Sequence, residues 1–217
     1  EKFARCFVDR RTPGYAEHSI RQLVAQRVYG LCLGYEDLND HDQLRYDPLI
    51  ATLCQQSDVE GKKRRRDADA GKALAGKATL QRLESAPNED VGLGRYHRIF
   101  HDPAAVEALF VEHLLDHYNA GCQPGQIILD LDATDDPIHG SQEGRFFHGY
   151  YGHYCYLPLY IFCEGYLLAA KLRTSDIDAS SGADTELERI VTHIRTRWPK
   201  TRIIVRADSG FARQWLM

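Results

Sequence analysis

The hydrophobic pattern is sharpest in the second half of the chain. Ile127, Ile128 and Leu129 form an unbroken apolar run that continues through Leu131, is introduced by the turn pair Pro124 and Gly125, and carries Asp130 and Asp132. Such a run predicts a buried strand. Arg202–Ala207 repeats the arrangement, a short apolar run that delivers Asp208 to its C-terminal end. Between the two, Tyr154–Cys163 predicts a strand that Pro158 confines to an edge or a bulge, and Tyr166–Arg173 is its hairpin partner across the turn Glu164, Gly165. After a Ser-, Asp- and Gly-rich loop, Leu187, Ile190, Val191, Ile194 and Trp198 recur at helical spacing, with Asp184 as the expected N-cap and Pro199 as the stop. The order is strand, strand, strand, helix, strand.

The first half reads as helical. From Ser19, apolar residues fall at Ile20, Leu23, Val24, Val28 and Leu31, and Gly34 supplies a stop. Asp47 and Pro48 open a short helix to about Cys54. A further helix is expected over Ala68–Glu84, ended by Ser85, Ala86, Pro87 and Asn88. Asp102 and Pro103 start a helix with Val106, Leu109, Phe110, Leu114 and Tyr118 on one face, His113 and His117 beside it, and Gly121 at its end. The expected division is a helical region at residues 1–101 and an α/β region at 102–217, with the boundary between Gln56 and Asp102.

Composition narrows the class. A 43% hydrophobic and 27% charged chain of 217 residues suits a folded core, and no apolar run is long enough to span a bilayer. The six cysteines have no paired spacing, so they read as reduced core residues of a cytoplasmic protein rather than as a zinc site. Residue 1 is Glu in ordinary-looking sequence, and Phe211–Leu216 look like the first turns of a helix. Both ends read as cut from a longer protein. The net charge of −4 does not advertise nucleic-acid binding, yet Lys62, Lys63, Arg64, Arg65 and Arg66 form one dense basic run. Mutual repulsion predicts a solvated, mobile segment, and a phosphate backbone would relieve that repulsion.

The acids carry the chemistry. Carboxylates at the mouth of a core strand are costly unless capped, paired or bound to a cation. Asp132, with Thr134, caps the following turn in the plainest reading. Its repetition at Asp208 points instead to two acids on neighbouring strands with a cation between them. The order of elements resembles a ribonuclease H-like core, whose first and fourth strands lie side by side. Two Mg²⁺ ions there, or Mn²⁺, would clamp the oxygens of an in-line phosphoryl displacement. Asp130 competes with Asp132 for the first position, because residues two apart on a strand share a face. The motif from Ile127 to Thr134 also fits a haloacid-dehalogenase phosphatase, with Asp130 as nucleophile and Asp132 as general acid and base. A D-x-D glycosyltransferase and a DNA-binding relic without catalysis are further alternatives. The block Phe146–Tyr156, with His148 and His153, reads as an aromatic hairpin covering the sheet, or as a platform for unpaired bases.

The runs Leu129–Gly144, Gly149–Phe162 and Val205–Phe211, together with Gln26–Pro48, resemble the DDE transposases of bacterial insertion sequences, in particular the insertion sequence 1380 group. The resemblance implies cleavage at transposon ends and joining of the freed 3′-hydroxyl to target DNA. It places the first catalytic aspartate on Asp132 and the second on Asp208, as metal ligands, with Asp130 as second choice for the first. The family's third acid, a glutamate on a later helix, has no match here, so this piece taken alone is expected to be inactive. Double-stranded DNA, both terminal inverted repeats and target, is the implied partner of a homodimer in a synaptic complex, without a membrane, at the bacterial nucleoid. Lys62–Arg66 and Arg206 are the expected DNA contacts, with Arg173 as a further candidate.

Overall fold

A computed structural model of the chain describes residues 1–88, 97–118 and 122–216. The chain divides into two compact units, Glu1–Val106 and Glu107–Met217, each with its own hydrophobic core. Gly121, the expected helix stop, lies outside the described residues.

The first unit is mostly helical. Helix α1 (Ile20–Cys32) starts as the sequence predicts, with Ser19 and Gln22 forming a reciprocal capping box. Gly34 follows its end with a φ of +88°. The buried stripe is Ile20, Leu23, Val24, Gln26 and Gly30, whereas Val28 and Leu31, expected on the same face, are exposed. A short turn α2 (His41–Leu44) precedes α3 (Pro48–Leu53), where the Asp47 carboxylate accepts from the Leu49 and Ile50 amides. The expected helix over Ala68–Glu84 is reduced to α4 (Lys77–Glu84), behind a 3-10 turn at Asp67–Asp69. Gly71, at φ +80°, breaks it, and the buried Ala73, Leu74 and Ala75 run as a non-helical segment instead. That segment is clamped by the buried Gln26, whose amide accepts from Ala75 N at 3.0 Å and donates to Ala75 O at 2.8 Å. The helical reading also misses an antiparallel ribbon, β1 (Phe7–Asp9) with β2 (Ile99–His101). Three-residue strands from opposite ends of the unit leave no periodicity to detect.

Helix α5 (Pro103–His117) opens on an Asp102 cap, and its buried positions are Val111, Leu114 and Leu115, one step round from the expected face. His113 and His117 pack against the Tyr166 ring, at centroid distances of 5.6 and 5.1 Å.

The second unit is built on a four-stranded sheet of β3 (Gln126–Ala133), β7 (Leu159–Cys163), β8 (Tyr166–Lys171) and β9 (Arg202–Ala207), in the order β8–β7–β3–β9. β3 is antiparallel to β7 and parallel to β9, and β7 is antiparallel to β8. On β3, Ile127, Leu129 and Leu131 face the core while Ile128, Asp130 and Asp132 take the opposite face. Leu129, Ile161, Leu168, Ile190 and Ile194 are completely buried in that core. The expected strand Tyr154–Cys163 is in fact two. Pro158 cannot donate to a ladder, so β6 (His153–Tyr156) ends before it, and β7 starts after it as an interior strand rather than an edge. β6 pairs with β4 (Asp136–Pro137) and β5 (Phe146–His148) in a separate three-stranded sheet. Helix α6 (Ala183–Arg197) returns the chain to β9, and its N-cap is Gly182 at φ +74°, with Asp184 in the first turn. Residues 209–211 form a 3-10 turn, not the opening of an α-helix.

Candidate active site

Parallel pairing of β3 with β9 sets Asp130 opposite Arg206 and Leu131 opposite Ala207. The next position on each strand is an aspartate, Asp132 and Asp208. Neighbouring strands lie about 4.8 Å apart, so the register sets Asp132 and Asp208 at neighbouring positions beyond its last pair. Asp130 shares their face but not their state. The Arg206 guanidinium grips it with both arms, Nη2 reaching Oδ2 at 2.7 Å, and these bonds hold its carboxyl below the usual carboxylate range. Asp132 is exposed and has no hydrogen bond or ion pair among the described residues. Asp208 ends β9 and accepts the Gly210 amide on Oδ1 at 2.8 Å. A Cβ on Gly210 would sit 2.9 Å from that oxygen, which explains the glycine two residues after the acid.

The hairpin joining β5 to β6 supplies neighbours that the sequence does not assign. Tyr151 lies in its turn, with the phenol 3.5 Å from the Ala133 carbonyl. Burial, then the charges of Asp135, Asp132 and Asp208 among others, push its proton affinity up, so the phenol stands in the field of both site acids. His153 Nε2 donates to Asp135 Oδ2 at 2.7 Å, and its ring stacks on Tyr151. Only the pairing of this small sheet reveals the group, since Asp135 and His153 are far apart in sequence. Phe147, Tyr150 and Tyr154 of the same sheet are exposed.

The arginines proposed for DNA separate. Arg206 is committed to Asp130. Arg173 donates to the carbonyls of Leu157, Ala179 and Ser181, at 2.9, 3.1 and 2.6 Å, and fixes the loop before α6 rather than facing solvent. The run Lys62–Arg66 lies in the first unit and is not a uniformly solvated stretch. The Lys62 and Lys63 amides are held by the Asp58 carboxylate, and the Lys62 side chain pairs with Glu60. Arg64 turns inward to Glu17 at 2.7 Å, and Arg65 stacks 3.8 Å from the centre of the Tyr15 ring.

A mixed sheet with acids at the ends of adjacent parallel strands is the architecture of an α/β enzyme domain with an anionic site. The model of the transposase DDE domain group 1 family matches residues 1–217, and the chain belongs to that family. Its function is therefore that of a transposase, and its enzyme class the nuclease and strand transferase of DNA transposition. Comparison with curated proteins and with solved structures gives no match.

Enzymes of this family are generally dependent on a divalent metal. Among the described residues no group of three or more His, Cys, Asp or Glu is placed to hold one. The pair Asp132 and Asp208 nevertheless fits a hard cation. Both offer carboxylate oxygens near solvent, and among the described residues no positive side chain pairs with them. Among the described residues no helix is long and apolar enough to cross a membrane.

Proposed function

We propose that the chain is a transposase of the insertion sequence 1380 group, built on a ribonuclease H-like core, in which Asp132 and Asp208 are the metal-binding acids. The observation that supports this reading is the parallel β3–β9 register, in which Asp132 and Asp208 follow the last paired positions while Arg206 pairs with Asp130. The strand order β8–β7–β3–β9 supports the core assignment, with β3 and β9 as its first and fourth strands. The phosphatase alternative loses support, because its nucleophile would be the Arg206-bound Asp130.

Divalent cations bound at such a site stabilise charge on the attacking and leaving oxygens of phosphodiester transfer. Asp132 and Asp208 would hold the cations at the strand ends. Tyr151 covers their flank, and Asp135 fixes the ring of His153 beside it. Two carboxylates leave a hard dication under-coordinated, so the reading calls for a third acid. The same reading takes terminal inverted repeats and target DNA as substrates, a homodimer as the synaptic unit, and the bacterial cytoplasm as the compartment. The first unit serves as the DNA-binding region.

Mn²⁺ titration of the full chain, followed by electron paramagnetic resonance, tests the assignment. Asp132→Asn and Asp208→Asn are each expected to weaken binding about tenfold or more, a cost of ~1.4 kcal/mol. Asp130→Asn should leave affinity within about twofold. Loss of Mn²⁺ binding in Asp130→Asn with retention in Asp132→Asn would reverse the assignment of the first ligand.

A further inference from the structure

The first unit contains a cavity of about 610 Å³ that the acids of the second do not explain. Its walls come from segments far apart in sequence and carry eight arginines, at positions 10, 11, 45, 64–66, 82 and 98, against two carboxylates, Glu17 and Asp69. Concentrating cations on a concave surface raises the potential inside it and demands a counter-charge. Part of that charge is met internally. Glu17 holds Arg64, Asp69 holds Arg45 at 3.3 Å, and Asp9 holds Arg11 at 2.7 Å. The Arg65 amide donates to the Glu17 carboxylate at 3.2 Å, but the guanidinium groups of Arg65, Arg66 and Arg98 form no ion pair among the described residues. The Nε atoms of Arg64 and Arg45 are buried without a hydrogen-bond partner, although each guanidinium is otherwise engaged. Buried donors of this kind are costly, and an anion that accepts from them removes the cost.

Shape selects among anions. A duplex presents its phosphates on a convex surface and cannot enter the cavity, whereas an unpaired nucleotide can. The volume lies within the range of small-molecule sites. At the rim, Tyr15 is 66% exposed and already stacked by Arg65, a flat cationic platform suited to a base.

We propose that this cavity binds unpaired nucleotides of a DNA strand, the guanidinium groups taking the phosphates and the Tyr15–Arg65 stack taking a base. The proposal rests on the reading of the chain as a DNA-processing enzyme and adds a strand-end site remote in sequence from Asp132 and Asp208.

The test is fluorescence anisotropy on the full chain with a labelled oligothymidylate, a duplex of mixed sequence, and sodium tripolyphosphate as competitor. Oligothymidylate should bind more tightly than duplex, and tripolyphosphate should displace it. Arg66→Glu and Arg98→Glu change exposed side chains and are each expected to weaken oligothymidylate binding at least tenfold, with an unchanged circular dichroism spectrum. Tyr15→Ala should weaken oligothymidylate but not tripolyphosphate. If tripolyphosphate binds and oligothymidylate does not, the site takes a free polyphosphate and the strand assignment is overturned. Equal binding of duplex and single strand, insensitive to Arg66→Glu and Arg98→Glu, also overturns it. Mn²⁺ affinity measured on these variants and on Asp132→Asn and Asp208→Asn separates the two readings. Normal Mn²⁺ binding with lost selectivity for single strands defeats only the cavity. Arginine-dependent strand binding with Mn²⁺ affinity indifferent to Asp132→Asn and Asp208→Asn defeats only the proposed active site.

Discussion

His18 shows how a single side chain is set by its surroundings. It is 5% exposed, its Nε2 accepts from Arg64 Nη2 at 2.9 Å, and its Nδ1 lies 3.1 Å from the Gln56 amide nitrogen. Burial first, then the charges of Arg64, Arg11 and Arg45, outweigh Asp69 and lower its proton affinity from the ordinary 6.5 to about 4. As pH falls the unfolded chain therefore takes up the proton before the folded one does. The stability contributed by neutral His18 is complete above about pH 6.5 and is lost progressively down to about pH 4, at most ~3 kcal/mol. Urea midpoints at pH 7.0 and 4.5 should fall further for the natural chain than for His18→Asn. An equal fall in both would show that His18 is not the titrating group. At the same scale, the pair Asp130 and Asp132 is ambiguous in sequence because both project from one face of a strand. A partner from another strand, Arg206, separates them.

Among the elements, α1 illustrates a helix whose start is local and whose burial is not. Ser19 and Gln22 cap it through bonds three residues apart, a spacing visible in the sequence. The central polar position is different. Gln26 is buried because its amide replaces a missing ladder partner for Ala75, within the stretch Ala68–Glu84 that reads as helix in the sequence. Gln26→Ala leaves the Ala75 N–H and C=O unpaired in the core and should cost ~1–3 kcal/mol in a denaturant titration. A change below about 0.5 kcal/mol would mean that water replaces the clamp. Pro158 acts on the same scale. Its lack of a donor divides one apolar run between two sheets, so β7 becomes interior and β6 joins the small sheet that carries Tyr151 and His153.

Across the whole molecule, charge is distributed unevenly beneath a net value of −4. Glu1–Val106 carries 17 Lys and Arg against 16 Asp and Glu, and Glu107–Met217 carries 10 against 15. Net charge conceals the arginine-lined cavity of the first unit and the acid pair of the second. DNA affinity should therefore depend steeply on salt through the first unit. Plotted as log affinity against log salt concentration for duplex DNA, Lys62→Gln with Lys63→Gln should reduce the slope by about 2, near 0.9 for each phosphate left without its lysine. An unchanged slope would exclude these lysines from the DNA-binding surface.

The sequence by itself determined the two acid-tipped strands, the hairpin between them, the helix that returns to β9, the caps at Ser19, Asp47 and Asp102, and the resemblance that the family model bears out at the level of a DDE transposase. These are local signals, written in apolar runs, turn residues and caps that act within a few positions. Tertiary structure alone decided that Asp132 and Asp208 end adjacent strands, that Arg206 pairs with Asp130 and Arg173 with loop carbonyls, that Arg64 of the basic run turns inward, and that Asp135 and His153 meet beside Tyr151. Each of these depends on strand register or on packing between distant segments, where a bond or a buried charge is fixed by what another part of the chain places opposite it.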